Sequence, residues 1–311
     1  MSAGFAVFGG TANPRLAEAV AREMRVPLGA CETERFPDGE LTVRLEESVR
    51  AKEVFVVQPT SPPVNEHLVE LLAFADAARR SAAGRITAVV PYFGYARADR
   101  RNQRREPITA SLVAQLVQVA GIAHVVTVDP HTPQIEGFFS IPVDSLSAVC
   151  ALAAELRGRL PPDTVVVSPD TGRVKLATEY ARELDAQLAV LHKRRQSGSD
   201  TEVTQLAGEV EGRPCLLVDD MVSTGGTLVG SVRALRDAGA TEFRVAATHG
   251  LFLDGALARL AAEGVAEVLV TDTVPTPPAT EAPPVRVASV APALADVIRK
   301  LLYGTRGPGG R

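Results

Sequence analysis

Residues 215–227 read Cys-Leu-Leu-Val-Asp-Asp-Met-Val-Ser-Thr-Gly-Gly-Thr, and few folds accommodate such a run. A short apolar stretch reads as a buried strand, here with two carboxylates, Asp219 and Asp220, at its C-terminal end. A small-residue turn with paired glycines follows. Leu228, Val232 and Leu235 then recur at helical spacing, with Gly239 as the stop. A strand–turn–helix of this kind points successive backbone N–H groups into one concavity, and the helix adds its positive end. Such a cradle suits a phosphate, and the adjacent carboxylates suit sugar hydroxyls or a metal ion. One loop that holds both implies a sugar-phosphate ligand.

The rest of the chain repeats the same alternation of short β-branched runs with helical patterns. Strands are expected at Phe5–Phe8, Val54–Gln58, Ile86–Val90, Val125–Asp129, Thr164–Ser168, Leu188–Leu191, Leu216–Asp219, Phe243–Thr248 and Val268–Thr271. Helices are expected at Pro14–Met24, Asn65–Ser81, Thr109–Val119, Leu146–Leu156, Arg173–Leu184, Gly226–Asp237, Asp254–Ala262 and Pro292–Leu302, with Pro14 and Pro292 suited to a first turn. This alternation implies an α/β protein with parallel sheets covered by helices. With 311 residues it suggests two domains, residues 1–145 and 146–303, the last helix packing on the N-terminal one. Both halves carry a strand that ends in Asp, Val128-Asp129 and Val218-Asp219, which suggests a duplication. Pro275–Pro284 reads as a surface loop, and the Gly-, Pro- and Arg-rich tail 304–311 as disordered.

Composition removes several classes of function. The net charge of -4 argues against nucleic acid as the main partner. No apolar run approaches the roughly 20 residues of a membrane span, and no signal peptide is visible. Cys31, Cys150 and Cys215 are odd in number and far apart, without metal-ligand spacing, so a reduced, cytoplasmic setting is expected. No Gly-x4-Gly-Lys-[Ser/Thr] occurs, which excludes a P-loop kinase. Of 33 basic residues only Lys52, Lys175, Lys193 and Lys300 are lysines, so a lysine within a basic cluster is distinctive.

Five further segments carry chemistry. Phe36-Pro37-Asp38-Gly39-Glu40 is, taken alone, an ordinary turn. An aromatic-glycine stretch, Pro91–Tyr95, leads into Arg97, Arg100, Arg101, Arg104 and Arg105; because it follows a strand it belongs at the functional edge of a sheet. Val128-Asp129-Pro130-His131 puts a histidine at a strand end, and Ser168-Pro169-Asp170-Thr171-Gly172-Arg173 puts a carboxylate at another. Leu191-His192-Lys193-Arg194-Arg195 is a basic cluster that in isolation reads as solvated charge.

In this order, and together with the Asp219–Thr227 loop, the segments resemble the ribose-phosphate diphosphokinase (PRPP synthetase) family over nearly the whole chain. The loop alone resembles the PRPP-binding loop that this family shares with type I phosphoribosyltransferases, which would leave the first half unexplained. The resemblance implies two tandem type I phosphoribosyltransferase-like domains, each a mainly parallel sheet flanked by helices, and transfer of the diphosphoryl group of ATP to the anomeric hydroxyl of ribose 5-phosphate. It implies ATP contacts from Asp38, Gly39, Glu40, Arg97 and Asp99, and Mg²⁺ near His131 and Asp170. Lys193 and Arg195 would be the catalytic cations. Ribose 5-phosphate would be held by Arg195, Asp219, Asp220, Ser223, Thr224, Gly225, Gly226 and Thr227. It also implies a homo-oligomer, a hexamer, with the nucleotide site built between subunits. Five positions depart from the usual family pattern: Ala98 stands for Gln, Pro130 for Leu, Thr132 for a frequent Ala, Arg173 for a second Gly found in many members, and Ser223 for Asp. They leave two alternatives, a non-catalytic regulatory paralog or a diphosphokinase for another pentose phosphate.

Overall fold

The computed structural model describes residues 4–101, 103–197, 200–276 and 283–304; the side chains of 193–204 lie outside that description, as does the tail from 305. The chain forms two compact units. One contains the residues up to Leu146, with Thr273–Pro275 and the segment from Val290. The other contains Ser147–Asp272 and Thr276–Ser289.

The first unit runs β1 (Phe5–Gly9), α1 (Pro14–Glu23), β2 (Cys31–Arg35), β3 (Leu41–Leu45), β4 (Glu53–Val57), α2 (Val64–Arg80), β5 (Arg85–Val90), α3 (Thr109–Val119), β6 (His124–Val128) and β7 (Val143–Leu146). Its sheet is parallel throughout, in the order β1-β4-β5-β6-β7, and β2 and β3 form a separate antiparallel hairpin. Ala6, Phe8, Val54, Val56, Ile86, Ala88 and Val90 of the sheet pack with Leu71, Phe74 and Ala78 of α2 and with Val113 and Val117 of α3. β6 is buried along its whole length, which is why it reads as a continuous apolar run. α1 starts where Asn13 accepts from the Leu16 N–H and Pro14 fills the first turn.

The second unit runs α4 (Val149–Leu156), β8 (Val165–Ser168), α5 (Val174–Leu184), β9 (Gln187–Ser197), β10 (Asp200–Ala207), β11 (Pro214–Val222), α6 (Gly226–Asp237), β12 (Glu242–Gly250), α7 (Ala256–Ala262), β13 (Val265–Thr271) and β14 (Val285–Ala288). Its sheet has the order β10-β9-β8-β11-β12-β13-β14, with only β10 antiparallel to its neighbour. The closing helix α8 (Ala291–Tyr303) returns to the first unit and packs on α1, where the Arg299 guanidinium donates to the Glu23 carbonyl. Among the described residues no helix is long and apolar enough to cross a membrane.

The two sheets repeat one topology. β1-β4-β5-β6-β7 and β8-β11-β12-β13-β14 follow the same succession, and the β2–β3 hairpin takes the place in the chain that β9–β10 takes in the second unit. The repeat therefore has a different register from the one suggested by the strand-end aspartates. β6 corresponds to β13, so Asp129 is matched by Asp272: the Asp129 N–H donates to Leu146 O of β7, and the Asp272 N–H to Ala288 O of β14. Asp219, on β11, corresponds to the end of β4, where Gln58 stands.

A buried carboxylate organises that end of β4. Glu70 of α2 is fully buried, and its two oxygens accept from the Thr11 N–H (2.9 Å), the Thr11 hydroxyl (2.6 Å), the Thr33 hydroxyl (2.9 Å) and Gln58 Nε2 (2.8 Å). Gln58 is itself fixed, accepting from the Ala12 N–H and donating to the His67 carbonyl. In a Glu70→Gln variant the new NH₂ faces an N–H donor whichever way the amide is turned, Thr11 on one side or Gln58 on the other. We expect a loss of about 1–2 kcal/mol in urea unfolding, the cost of an opposed buried donor.

Candidate active site

Outside the β2–β3 hairpin and the β9–β10 ribbon, the candidate residues lie at or beyond the C-terminal end of a strand, where open α/β sheets bind ligands. In the second unit, β8 delivers Asp170. Its Oδ1 accepts from the N–H groups of Gly172 (2.8 Å) and Arg173 (3.2 Å) and so caps a single 3₁₀ turn, while Ser168 Oγ donates to its carbonyl. That turn fixes the backbone of Arg173. The Arg173 guanidinium then reaches β11, with Nε 3.1 Å from Asp219 Oδ1 and Nη2 2.9 Å from Asp220 Oδ1. The Asp220 N–H also donates to Asp219 Oδ1, at 2.8 Å. Burial, and after it the neighbouring Asp220, push the Asp219 carboxyl well above the ordinary carboxylate range; Arg173 opposes this without prevailing.

The loop beyond the acid pair turns at Gly225, whose φ of +78° is the left-handed conformation that glycine adopts without strain. α6 starts at the next residue, and the N–H groups of a first helical turn lack partners within the helix. The loop's carbonyls are held from the other side. Val222 O accepts from the Leu251 and Phe252 N–H groups, Ser223 O from the Leu253 N–H (3.0 Å), and Thr224 O from the Arg259 guanidinium. With carbonyls drawn toward the β12–α7 connection, the cradle is stiffened from outside. Thr224, Gly226 and Thr227 are exposed, Ser223 is half-buried and Gly225 is buried.

β9 continues past Val190, the last residue paired with β8, as a ribbon paired with β10, so that Lys193 lies opposite Val203 and Arg195 opposite Thr201. The backbone therefore carries both residues past the C-terminal end of β8; their side chains are outside the described residues.

In the first unit the arginine loop follows β5. Gly94 donates to Thr60 Oγ1, and a Cβ there would stand 2.5 Å from the Thr60 carbonyl, so only glycine fits. Phe93 packs edge-on against Phe139 at 5.9 Å. From this anchored base Arg97, Arg100, Arg101, Arg104 and Arg105 all extend into solvent, with Asp99 and Ala98 half-buried. His131 is half-buried in the loop after β6, ahead of a 3₁₀ turn over Pro133–Phe138. Asp38, Gly39 and Glu40 form the exposed tip of the β2–β3 hairpin, where Asp38 Oδ1 accepts from the Glu40 N–H.

Residues 5–121 match the family model for the N-terminal domain of ribose phosphate pyrophosphokinase, and residues 144–268 match the phosphoribosyl transferase domain. The ribose-phosphate pyrophosphokinase of Maricaulis maris is 48% identical over 294 residues, covering 94% of this chain and 95% of that protein. That of Burkholderia pseudomallei is 44% identical over 303 residues, covering 97% and 95%. This chain belongs to the ribose-phosphate pyrophosphokinase family. The crystal structure of phosphoribosylpyrophosphate synthetase from Mycobacterium smegmatis superposes with a TM-score of 0.89 at 42% identity, covering 96% of this chain and 98% of that one.

Within a pyrophosphokinase, the structure brings Asp170, Asp219, Asp220 and the Ser223–Thr227 cradle to one sheet end, joined through Arg173. Two parts of this arrangement were not legible in sequence: the Arg173 fork and the Arg259 prop. Both are long side chains meeting partners far along the chain, and the only local signal was Arg173 standing three residues after a strand-end Asp. For a divalent cation the donor chemistry is divided. Asp170 offers carboxylate oxygen, as Mg²⁺ prefers. The Asp219–Asp220 pair also offers oxygen, but a guanidinium already sits across it. Among the described residues no three His, Cys, Asp or Glu side chains cluster to enclose a metal. The three cysteines are free thiols, and burial pushes Cys215 up to about 11, which keeps it protonated and inert.

Proposed function

We infer that this protein transfers the diphosphoryl group of ATP to the anomeric hydroxyl of ribose 5-phosphate, giving PRPP and AMP. The observation that carries this reading is the union of an acid pair and a phosphate cradle on one strand–loop–helix, in a chain that aligns end to end with ribose-phosphate pyrophosphokinases. The 5-phosphate sits on Ser223–Thr227, where N–H groups and the α6 dipole converge. Asp219 and Asp220 accept from the ribose hydroxyls, which fixes the ring and aims its anomeric oxygen. That oxygen attacks the β-phosphorus in line. The bond from the β-phosphorus to the oxygen bridging it to the α-phosphate breaks, AMP departs with that oxygen, and the proton of the anomeric hydroxyl passes to solvent water. Lys193 and Arg195, with Arg195 also reaching the ribose phosphate, neutralise the charge that develops on the transferred group; phosphoryl-type transfer depends mainly on such positioning and electrostatics. Arg97 and Asp99 contact ATP, and the neighbouring exposed arginines supply bidentate donors for its phosphates. Asp38, Gly39 and Glu40 serve the nucleoside end of ATP.

Mg²⁺, when bound with ATP, neutralises and orients phosphate oxygens, and His131 and Asp170 are the residues we assign to it, directly or through water. We also propose self-assembly into a homo-oligomer, a hexamer, placed in the cytoplasm. In support of assembly, α3 exposes Leu112, Leu116 and Val119 along one face at helical spacing, and Phe36 is exposed beside the hairpin tip.

The test is to incubate the purified protein with ATP, ribose 5-phosphate and Mg²⁺. AMP and PRPP should form in equal amounts. A folded protein that yields neither would overturn the reading, and turnover of another pentose phosphate in preference would replace the substrate.

A further inference from the structure

We propose that Arg173 is the resident counter-cation of the Asp219–Asp220 pair, so that the loop holds its sugar phosphate without a divalent cation at the acid pair. This rests on the reading that the loop takes ribose 5-phosphate.

The argument begins with burial. The side chains of Asp219 and Asp220 are 12% and 6% exposed, and that of Arg173 19%, so these charges meet largely out of water. Two adjacent buried carboxylates require compensation, and beyond a proton retained by the pair it can come from a bound metal or from a side chain. Here it comes from a planar fork that touches one oxygen of each acid, through Nε and Nη2. The fork is aimed from the backbone upward. Asp170 caps the 3₁₀ turn through the N–H groups of Gly172 and Arg173, and β8 and β11 are paired in the sheet, so the guanidinium starts from a fixed point. A lysine ammonium is a point charge and would not span both acids in this way.

Two consequences follow. A divalent cation bridging Asp219 and Asp220 would lie against the guanidinium, and like charges at such range in a poorly solvated site repel strongly. The acids nevertheless remain acceptors. Two carboxylates have about eight lone-pair sites between them, of which the fork takes few, and ribose hydroxyls are neutral donors that need oriented oxygens more than net charge. Arg173 is therefore a positioning residue, acting on the sugar through the two carboxylates.

The experiment has two readouts on the full-length protein. Ribose 5-phosphate binding is measured by calorimetry in EDTA and in Mg²⁺, and Mn²⁺ alone is counted by electron paramagnetic resonance without sugar or nucleotide. Wild-type affinity for ribose 5-phosphate should differ by no more than about twofold between the two buffers. An Arg173→Ala variant should gain one Mn²⁺ per chain, bound at least about tenfold more tightly than by wild type, once the repelling charge is gone. Adding Asp219→Asn should remove that Mn²⁺, and Arg173→Ala should bind ribose 5-phosphate in a Mg²⁺-dependent way. Arg173→Lys should behave more like the alanine variant than like wild type. The proposal is overturned if wild-type sugar binding weakens tenfold or more in EDTA, a result that needs no variant, or if a folded Arg173→Ala protein gains no Mn²⁺. If wild type binds no ribose 5-phosphate in either buffer, the functional reading fails, and the Mn²⁺ count still decides whether Arg173 excludes the cation.

Discussion

Asp219→Asn is expected to lower kcat/KM for ribose 5-phosphate by about 10²–10³-fold, the range seen when one oriented polar group is lost from an active site, and to raise the thermal midpoint at pH 8. The loss follows from chemistry. Asparagine can keep Oδ1 where it accepts from Arg173 and from the Asp220 N–H, but an NH₂ then replaces the second oxygen and meets a ribose hydroxyl as a donor instead of an acceptor. The gain in stability follows from burial. The folded protein holds the Asp219 carboxyl well above its ordinary value, chiefly through desolvation and then through Asp220. A carboxyl with a raised folded pKa binds its proton more tightly in the folded state. Its ionisation therefore costs stability progressively as pH rises above the unfolded value near 3.9, and the cost is complete above the raised folded value. Asparagine removes that cost. The difference in midpoint between variant and wild type should be largest at pH 8 and close toward pH 4. Equal midpoints at pH 8, or a variant less stable there, would show that the Arg173 ion pair outweighs desolvation.

Gly225→Val is expected to raise KM for ribose 5-phosphate about 100-fold or more, since it disturbs several backbone donors at once and a hydrogen bond to a charged group is worth about 1.5–3 kcal/mol. Space for the first side-chain carbon is not the obstacle. A Cβ at Gly225 would lie 3.5 Å from the Ala256 Cβ, an ordinary contact. Conformation is the obstacle: a β-branched residue at φ +78° is strained by about 1–2 kcal/mol or more, and relief of that strain rotates the peptide planes that form the cradle. The carbonyls of Ser223 and Thr224 are tied to Leu253 and Arg259, so the strain has no outlet on that side. Gly226→Ala provides the stability control, because a methyl there meets nothing within 4 Å and the residue is not in the left-handed region. Gly225→Val should lower the thermal midpoint where Gly226→Ala does not. A Gly225→Val protein with unchanged KM would remove the cradle from the mechanism.

The parts of this protein that its sequence announces are those whose physics is local. A strand buried on both faces is a continuous apolar run wherever it occurs, so β4, β5, β6 and β8 were legible within a residue or two. Helix periodicity with a glycine stop gave α6 its bounds, and the order of acids, small residues and glycines gave the turn between β11 and α6. Edge and ribbon strands were missed because half-exposed strands carry no such run: β7 is Val-Asp-Ser-Leu, and β14 is Val-Arg-Val-Ala with exposed positions. The β2–β3 hairpin pairs through charge, Glu32 opposite Arg44, and reads as polar surface until the strands are side by side.

The sequence by itself determined the fold class and the strand–loop–helix that carries Asp219 and Asp220, because each depends on neighbours a few positions away. Only the tertiary structure decided the register of the internal repeat, the burial of Glu70 among four donors, and the closure of Arg173 over Asp219 and Asp220. Each of these joins residues far apart in the chain, 46 positions in the case of Arg173 and Asp219. A side chain's own chemistry says that it will be paired, but packing alone selects the partner.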